Sequence, residues 1–128
     1  MKAATERICR DLGLPRGDRY TQDWAYELPD EFRSPAWLRR YKDAYHDPAY
    51  RDAERLLLVQ LMFDVVNDLF DGDNGIGRLA WSTLEEVIRA SPELHRNQLA
   101  YWTMPESSLD DAWAITPMAR ALWDKLFG

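Results

Sequence analysis

Cysteine is nearly absent from this chain, with Cys9 its single example. One thiol excludes an intramolecular disulfide and any zinc site built from several cysteines, and it suits a reducing compartment. Histidine is almost as scarce: His46 and His95 are the only two. No long apolar run occurs either. The most apolar stretch, from Leu56 onward, is broken by Gln60 and Asp64, so nothing approaches the roughly 20 residues of a membrane span. The opening MKAATERICRDLG has a lysine but lacks the apolar centre of a secretory signal. These absences lead us to expect a cytoplasmic protein.

What is present suits a single folded domain over residues 1–128. Apolar residues make up 46% and charged residues 30%, too apolar for disorder. A chain of this size buries roughly two thirds of its unfolded surface, enough for a core without covalent staples. The net charge of -6 is unevenly placed. Residues 1–60 hold 11 Lys/Arg and 11 Asp/Glu, whereas residues 61–128 hold 5 and 11, so the whole excess lies in the second half. Such a surface repels nucleic acid and attracts basic partners.

The stretch Pro48 to Asp71, PAYRDAERLLLVQLMFDVVNDLFD, organises the rest. Asp47-Pro48 reads as a cap followed by the one proline a helix tolerates well, and Gly72 as the stop. From Leu56 to Phe70 the stretch is apolar on most faces, and Leu58, Met62, Val65, Val66 and Leu69 should be buried. Gln60, Asp64, Asn67, Asp68 and Asp71 fall within about 100° on a helical wheel, an acidic stripe opposite that core face.

A cap-then-proline pair recurs at Ser34-Pro35, Asp47-Pro48, Ser91-Pro92 and Thr116-Pro117. The oxygen takes an orphan N–H of the first turn, and proline has no N–H to orphan. These pairs predict helices near 35–46, 48–71, 92–102 and 117–127, with Thr116 capping the last. Two more fit 3–12, with Ile8, Cys9 and Leu12 inward, and 78–90, with Leu79, Leu84, Val87 and Ile88 inward. Asp73 to Gly77 reads as a turn. Residues 13–34 read as a loop carrying Tyr20, Trp24, Tyr26, Leu28 and Phe32, in which the alternation Trp24, Tyr26, Leu28 suggests a short extended segment. With no fixed-period repeat and no hairpin chemistry, the expected fold is all-α: an irregular bundle of five to six helices around the one near 48–71, with an aromatic-rich N-terminal loop.

Motifs that carry chemistry are weakly supplied. Asp71-Gly-Asp73-Asn74-Gly75 opens like a calcium loop, but Gly75, Ile76 and Ser82 stand where an oxygen ligand, a glycine and a glutamate are required. His46 sits at an expected helix C-terminus, where positive charge is favourable without function, and His95 in a first turn, half-exposed. Neither forms the paired array of a di-metal site. Cys9 lies on an apolar face, the setting of an inert thiol. No serine has a nucleophile-elbow context, and the glycines of 72–77 lack the lysine of a phosphate loop. Glu85-Glu86 and Asp110-Asp111 are sequence neighbours, which point apart on a helix. We assign no catalytic, cofactor-binding or metal-binding residue.

Aromatics are abundant, with 6 Trp and 6 Tyr. Packing with the polar tip toward water accounts for most such residues, and Trp, Tyr and Arg are also the residues that anchor protein interfaces. The segment YWTMPESSLDDAWAITP over 101–117 joins aromatics, Met104 and acids in an expected loop, where binding residues tend to sit. With the stripe Asp64, Asp68, Asp71, this segment and the Trp24–Tyr26 loop, the chain resembles the small acidic helical immunity proteins with which bacteria neutralise a cognate toxin in the cytoplasm. The resemblance is one of type, without a diagnostic motif, and implies a protein partner and no catalysis. The expected partner-binding residues are Asp64, Asp68, Asp71, Trp102, Asp110, Asp111 and Trp113, the expected partner a basic protein such as a toxin, and neither nucleic acid nor membrane is expected to bind. The alternatives are a small enzyme with a carboxylate site, metal-assisted or not, on the central helix, and an adaptor subunit of a larger assembly.

Overall fold

A computed structural model describes residues 2–17, 21, 23–72 and 74–128, with the side chains of Lys2, Asp71 and Asn74 outside the description. The protein is all-helical: α1 (Lys2–Leu12), α2 (Trp24–Glu27), a 3-10 turn (Asp30–Phe32), α3 (Pro35–Tyr45), α4 (Asp52–Gly72), α5 (Asn74–Ala90), α6 (Arg96–Thr103) and α7 (Thr116–Leu126). Among the described residues no helix is long and apolar enough to cross a membrane. The chain gathers into two compact units, Met1–Val65 and Val66–Gly128. The long helix α4 contributes residues to both.

In α4 the apolar phase is as the sequence requires. Leu58, Met62, Val65 and Val66 are fully buried, Leu69 is half-buried, and the opposite stripe is more open, with Gln60, Asp64 and Asn67 half-buried and Asp68 exposed. The helix starts later than Asp47-Pro48 suggests. The Asp47 side chain accepts from Ala49 N–H at 2.9 Å, and its carbonyl accepts from Tyr50 N–H at 3.0 Å. The aspartate therefore closes a turn of its own instead of capping a helix. The helix begins at Asp52, and Glu54 reaches back to accept from Arg51 N–H at 3.0 Å, the carboxylate half of a capping box.

The first unit is tied by aromatic hydroxyls and arginines. Ser34 caps α3 as expected, accepting from Trp37 N–H at 3.2 Å. Buried Tyr41 donates to the Phe32 carbonyl at 2.6 Å, and Tyr50 donates to Asp11 at 2.8 Å. Arg33, buried, donates to the Ala25 carbonyl at 2.6 Å. Trp24 Nε1 donates to the Pro15 carbonyl at 2.8 Å. The extended segment expected at Trp24, Tyr26, Leu28 is instead the helical turn α2, because Asp23 accepts from Tyr26 N–H and nucleates it. Ile8 and Cys9 are buried on α1 and Leu12 is half-buried. Tyr20 lies outside the described residues.

In the second unit α6 packs on α7. α5 starts at Asn74, so the expected turn over Asp73 to Gly77 is largely helix, and Asp73 lies outside the described residues. At Gly77 a Cβ would stand 2.6 Å from the Phe70 ring and 2.8 Å from its Cα, so the two helices meet where only glycine fits. Leu84, Val87 and Ile88 are buried as expected, but Leu79 is 74% exposed. Nine residues separate Leu79 from Ile88, half a turn out of phase at 100° per residue. Ser91-Pro92 opens a turn, and α6 begins only at Arg96. His95, expected half-exposed, is fully buried, with Nδ1 2.8 Å from Gln98 Oε1.

Candidate protein-binding surface

Residues 104–115, between α6 and α7, form the most built irregular segment of the second unit. Its geometry starts at Met104, the C-cap of α6, at φ 45° and ψ 61°. This left-handed conformation is common for glycine and costs a side-chain-bearing residue about 1–2 kcal/mol. The backbone turn directs successive carbonyls to one cation. Arg120, one turn into α7, donates from Nε to the Thr103 carbonyl and from Nη2 to the carbonyls of Met104 and Ser107, each at 2.7 Å. A guanidinium with a rigid fork of donors suits this task, where an ammonium offers a single point.

The other end is fixed by two further bonds. Ile115 N–H donates to Asn67 Oδ1 at 3.3 Å, so this member of the polar stripe on α4 anchors the segment. The buried Thr116 hydroxyl donates to the Trp102 carbonyl at 2.9 Å. Thr116 is therefore not the cap of α7 expected from Thr116-Pro117. It is the first residue of the helix, Ile115 holds the cap position, and the hydroxyl is spent on a tertiary partner. Between the fixed ends lies a turn in which Asp111 N–H donates to the Ser108 carbonyl and the Ser108 hydroxyl donates to Asp111 Oδ2 at 3.1 Å.

This frame holds three aromatic rings together. Trp102 and Trp113 have centroids 4.5 Å apart, Tyr101 and Trp113 5.1 Å apart at 35°, and Tyr101 and Trp102 5.7 Å apart and nearly perpendicular. Trp102 is buried at 8% exposure, Trp113 is half-buried and Tyr101 is 63% exposed. Trp102 thus lies beneath the surface, and Tyr101 and Trp113 form its outer layer. Asp110 and Asp111 are exposed, as are Glu106 and Leu109, the last at 57%. No Lys or Arg occurs between Arg96 and Arg120. Arg120 faces the carbonyls, and the Arg96 guanidinium lies over the rings of Trp123, at 5.5 Å, and Phe127, at 4.8 Å.

The expected partner-binding residues lie on different elements. Trp113, Asp110 and Asp111 belong to one segment, and Trp102 supports it from below. Asp64 is half-buried and Asp68 exposed on α4, and the Asp71 side chain lies outside the description. Tyr101, Leu109 and Arg120 join the surface although they are not among the expected partner-binding residues. Tyr101 and Trp102 are adjacent and chemically alike, so the sequence carries no signal for which faces water. Arg120 has an acid four residues on, Asp124, which masks its use as a staple behind an ordinary helix pair.

Each unit carries a concavity. A groove of about 460 Å³ in the second unit is lined by Ala100, Thr103, Pro105, Arg120, Trp123 and Asp124. One of about 370 Å³ in the first unit includes Asp11, Arg40, Asp43, Asp47 and Tyr50. Burial, followed by the hydrogen bond to Asp11, raises the Tyr50 phenol well above its ordinary range, and burial raises Tyr41 likewise. Burial also raises the Cys9 thiol, against the opposing charge of Arg16. Among the described residues no three His, Cys, Asp or Glu side chains converge as a metal-binding group, and every buried side-chain nitrogen or oxygen has a partner. No family model, curated protein or solved structure matches the chain.

Proposed function

We propose that this is a non-catalytic binding protein of the immunity type, which neutralises a cognate toxin by covering it with the surface around Tyr101, Leu109, Asp110, Asp111 and Trp113. The observation that carries the reading is the staple. A strained αL residue and three 2.7 Å bonds from one arginine fix a loop whose outward side chains are aromatic and acidic. A rigid loop loses little entropy on binding, and a cluster of partly exposed aromatic rings is what interface anchors are made of. The net charge of the second unit favours a basic partner such as a nuclease, through fast steered encounter.

The test is protection from a neighbouring gene. The product of each gene adjacent to this one in its source genome is expressed in a naive host, alone and together with this protein. The reading requires one product that arrests growth, relief of the arrest by the wild-type chain, and loss of relief in a Tyr101→Ser, Trp113→Leu double variant that remains folded. Relief that persists in the double variant moves the interface elsewhere on the protein.

A further inference from the structure

We infer that the surface is selective for arginine over lysine in the partner, with a guanidinium lying against the Tyr101–Trp113 rings and paired to the carboxylates of Asp110 and Asp111. The inference rests on the binding reading above and adds the chemistry of the contact.

Three features place the parts together. The Tyr101 and Trp113 rings lie 5.1 Å apart at 35°, a tilted stack that covers one side of the Tyr101 ring and leaves its outer face free. Tyr101 is 63% exposed, so that face is open to a ligand. Asp111 precedes Trp113 by two residues and Asp110 by three, which puts both acidic Cα atoms within about 11 Å of that of Trp113. Both carboxylates are exposed.

The arginines nearest in sequence to this face are engaged elsewhere. No Lys or Arg occurs from 97 to 119, and the arginines bounding that stretch are engaged with Trp123, Phe127 and the loop carbonyls. The face is therefore complementary to a cation supplied from outside.

The choice between the two basic side chains follows from shape. A planar guanidinium stacks on an aromatic face and presents in-plane donors to a carboxylate at the same time. An ammonium is a compact, strongly hydrated charge that gains less from a ring. The ring contact occurs within this protein, where the Arg40 guanidinium lies 3.9 Å from the centroid of Trp37.

The experiment needs no natural partner. Acetylated, amidated hexa-arginine and hexa-lysine have equal charge, and their dissociation constants for the full chain are measured calorimetrically at two salt concentrations. Hexa-arginine should bind at least about threefold more tightly. Tyr101→Ser and, separately, Trp113→Leu should bring the ratio near one. Asp110→Asn with Asp111→Asn should weaken both peptides together and flatten the salt dependence. Tyr101 is mostly exposed, so its variant stays informative if Trp113→Leu disturbs the loop. Equal affinities in the wild type, a preference that survives both ring variants, or no binding by either peptide overturns the inference. So does concentration-dependent self-association abolished by Tyr101→Ser, which would make a second copy of the chain the occupant. Growth protection is read independently, so arginine selectivity can fail while the immunity reading stands, and the reverse.

Discussion

The two units solve the same problem with opposite results. Each must hold an irregular segment against helices, and each uses an arginine whose guanidinium meets backbone carbonyls: Arg33 on Ala25 in the first, Arg120 on Thr103, Met104 and Ser107 in the second. In the first unit most aromatic tips turn inward, with Tyr26, 69% exposed, the exception. Tyr41, Tyr50 and Trp24 donate to Phe32, Asp11 and Pro15, and Tyr41, Tyr45 and Tyr50 are buried. In the second, the segment is pinned by its backbone, which releases Tyr101 and Trp113 to face outward. Charge follows the same division: residues 1–65 hold 11 Lys/Arg and 12 Asp/Glu, and residues 66–128 hold 5 and 10. A loop held by its side chains has few left for a partner, whereas a loop held by its carbonyls keeps more of them free.

The largest expected effect breaks the first unit alone. Tyr41 and Tyr50 have folded pKa values raised above the unfolded phenol's value of about 10. The folded state binds those protons more tightly, so their contribution is fully present below pH 10 and is lost as pH climbs through the folded values. Alkaline titration should show a cooperative rise in phenolate absorbance coincident with loss of amide protection in α1 and α3. A gradual, non-cooperative rise with protection retained would mean that these phenols ionise in place.

Core truncation comes next and tests whether the units are equally dependent on packing. Leu58→Ala in the first and Leu122→Ala in the second, both fully buried, should each cost about 2–5 kcal/mol in denaturant unfolding. A cost below 1 kcal/mol at either site would contradict its placement in the core.

Leu58 was readable because α4 has no interruption and is apolar on most faces, so a residue opposite its acids is buried. Ser34 was readable for a similar reason, since nothing nearby competes for its oxygen. Sequence reasoning failed where a second partner outbid the local one. Asp47 turned to Ala49, and Thr116 turned to Trp102, fourteen residues away. Trp102 and Tyr101 could not be told apart by type, and only the packing of α6 on α7 separates them. The polar stripe also proved unequal along its length, because its amide, Asn67, serves as an anchor for Ile115.

The staple in the second unit predicts two changes of opposite sign. Arg120→Lys replaces three directed donations with a point charge and should destabilise by about 1.5–3 kcal/mol. Hydrogen exchange should quicken first at 104–115. Met104→Gly relieves the left-handed strain and should stabilise by about 1 kcal/mol, less the entropy glycine gains when unfolded. If both substitutions destabilise, Met104 contributes contacts that outweigh its backbone cost, and the staple is not what offsets the strain.

The smallest effect sharpens the comparison most, because it separates presentation from stability. Tyr101 and Asp110 are exposed on a segment whose conformation is set by the Arg120 bonds and by Asn67 and Thr116. Removing them deletes none of these anchors, so Tyr101→Ser with Asp110→Asn should change unfolding free energy by less than about 0.5 kcal/mol. The mirror experiment in the first unit is Tyr41→Phe, which removes one hydroxyl. It leaves the Phe32 carbonyl without that donor and should cost about 1–3 kcal/mol. Denaturant melts of the two variants, measured side by side, decide the point. A large loss for the Tyr101 variant would mean that its ring supports Trp102 and Trp113 as the Tyr41 hydroxyl supports Phe32, and the second unit would then keep its aromatics for folding as the first does.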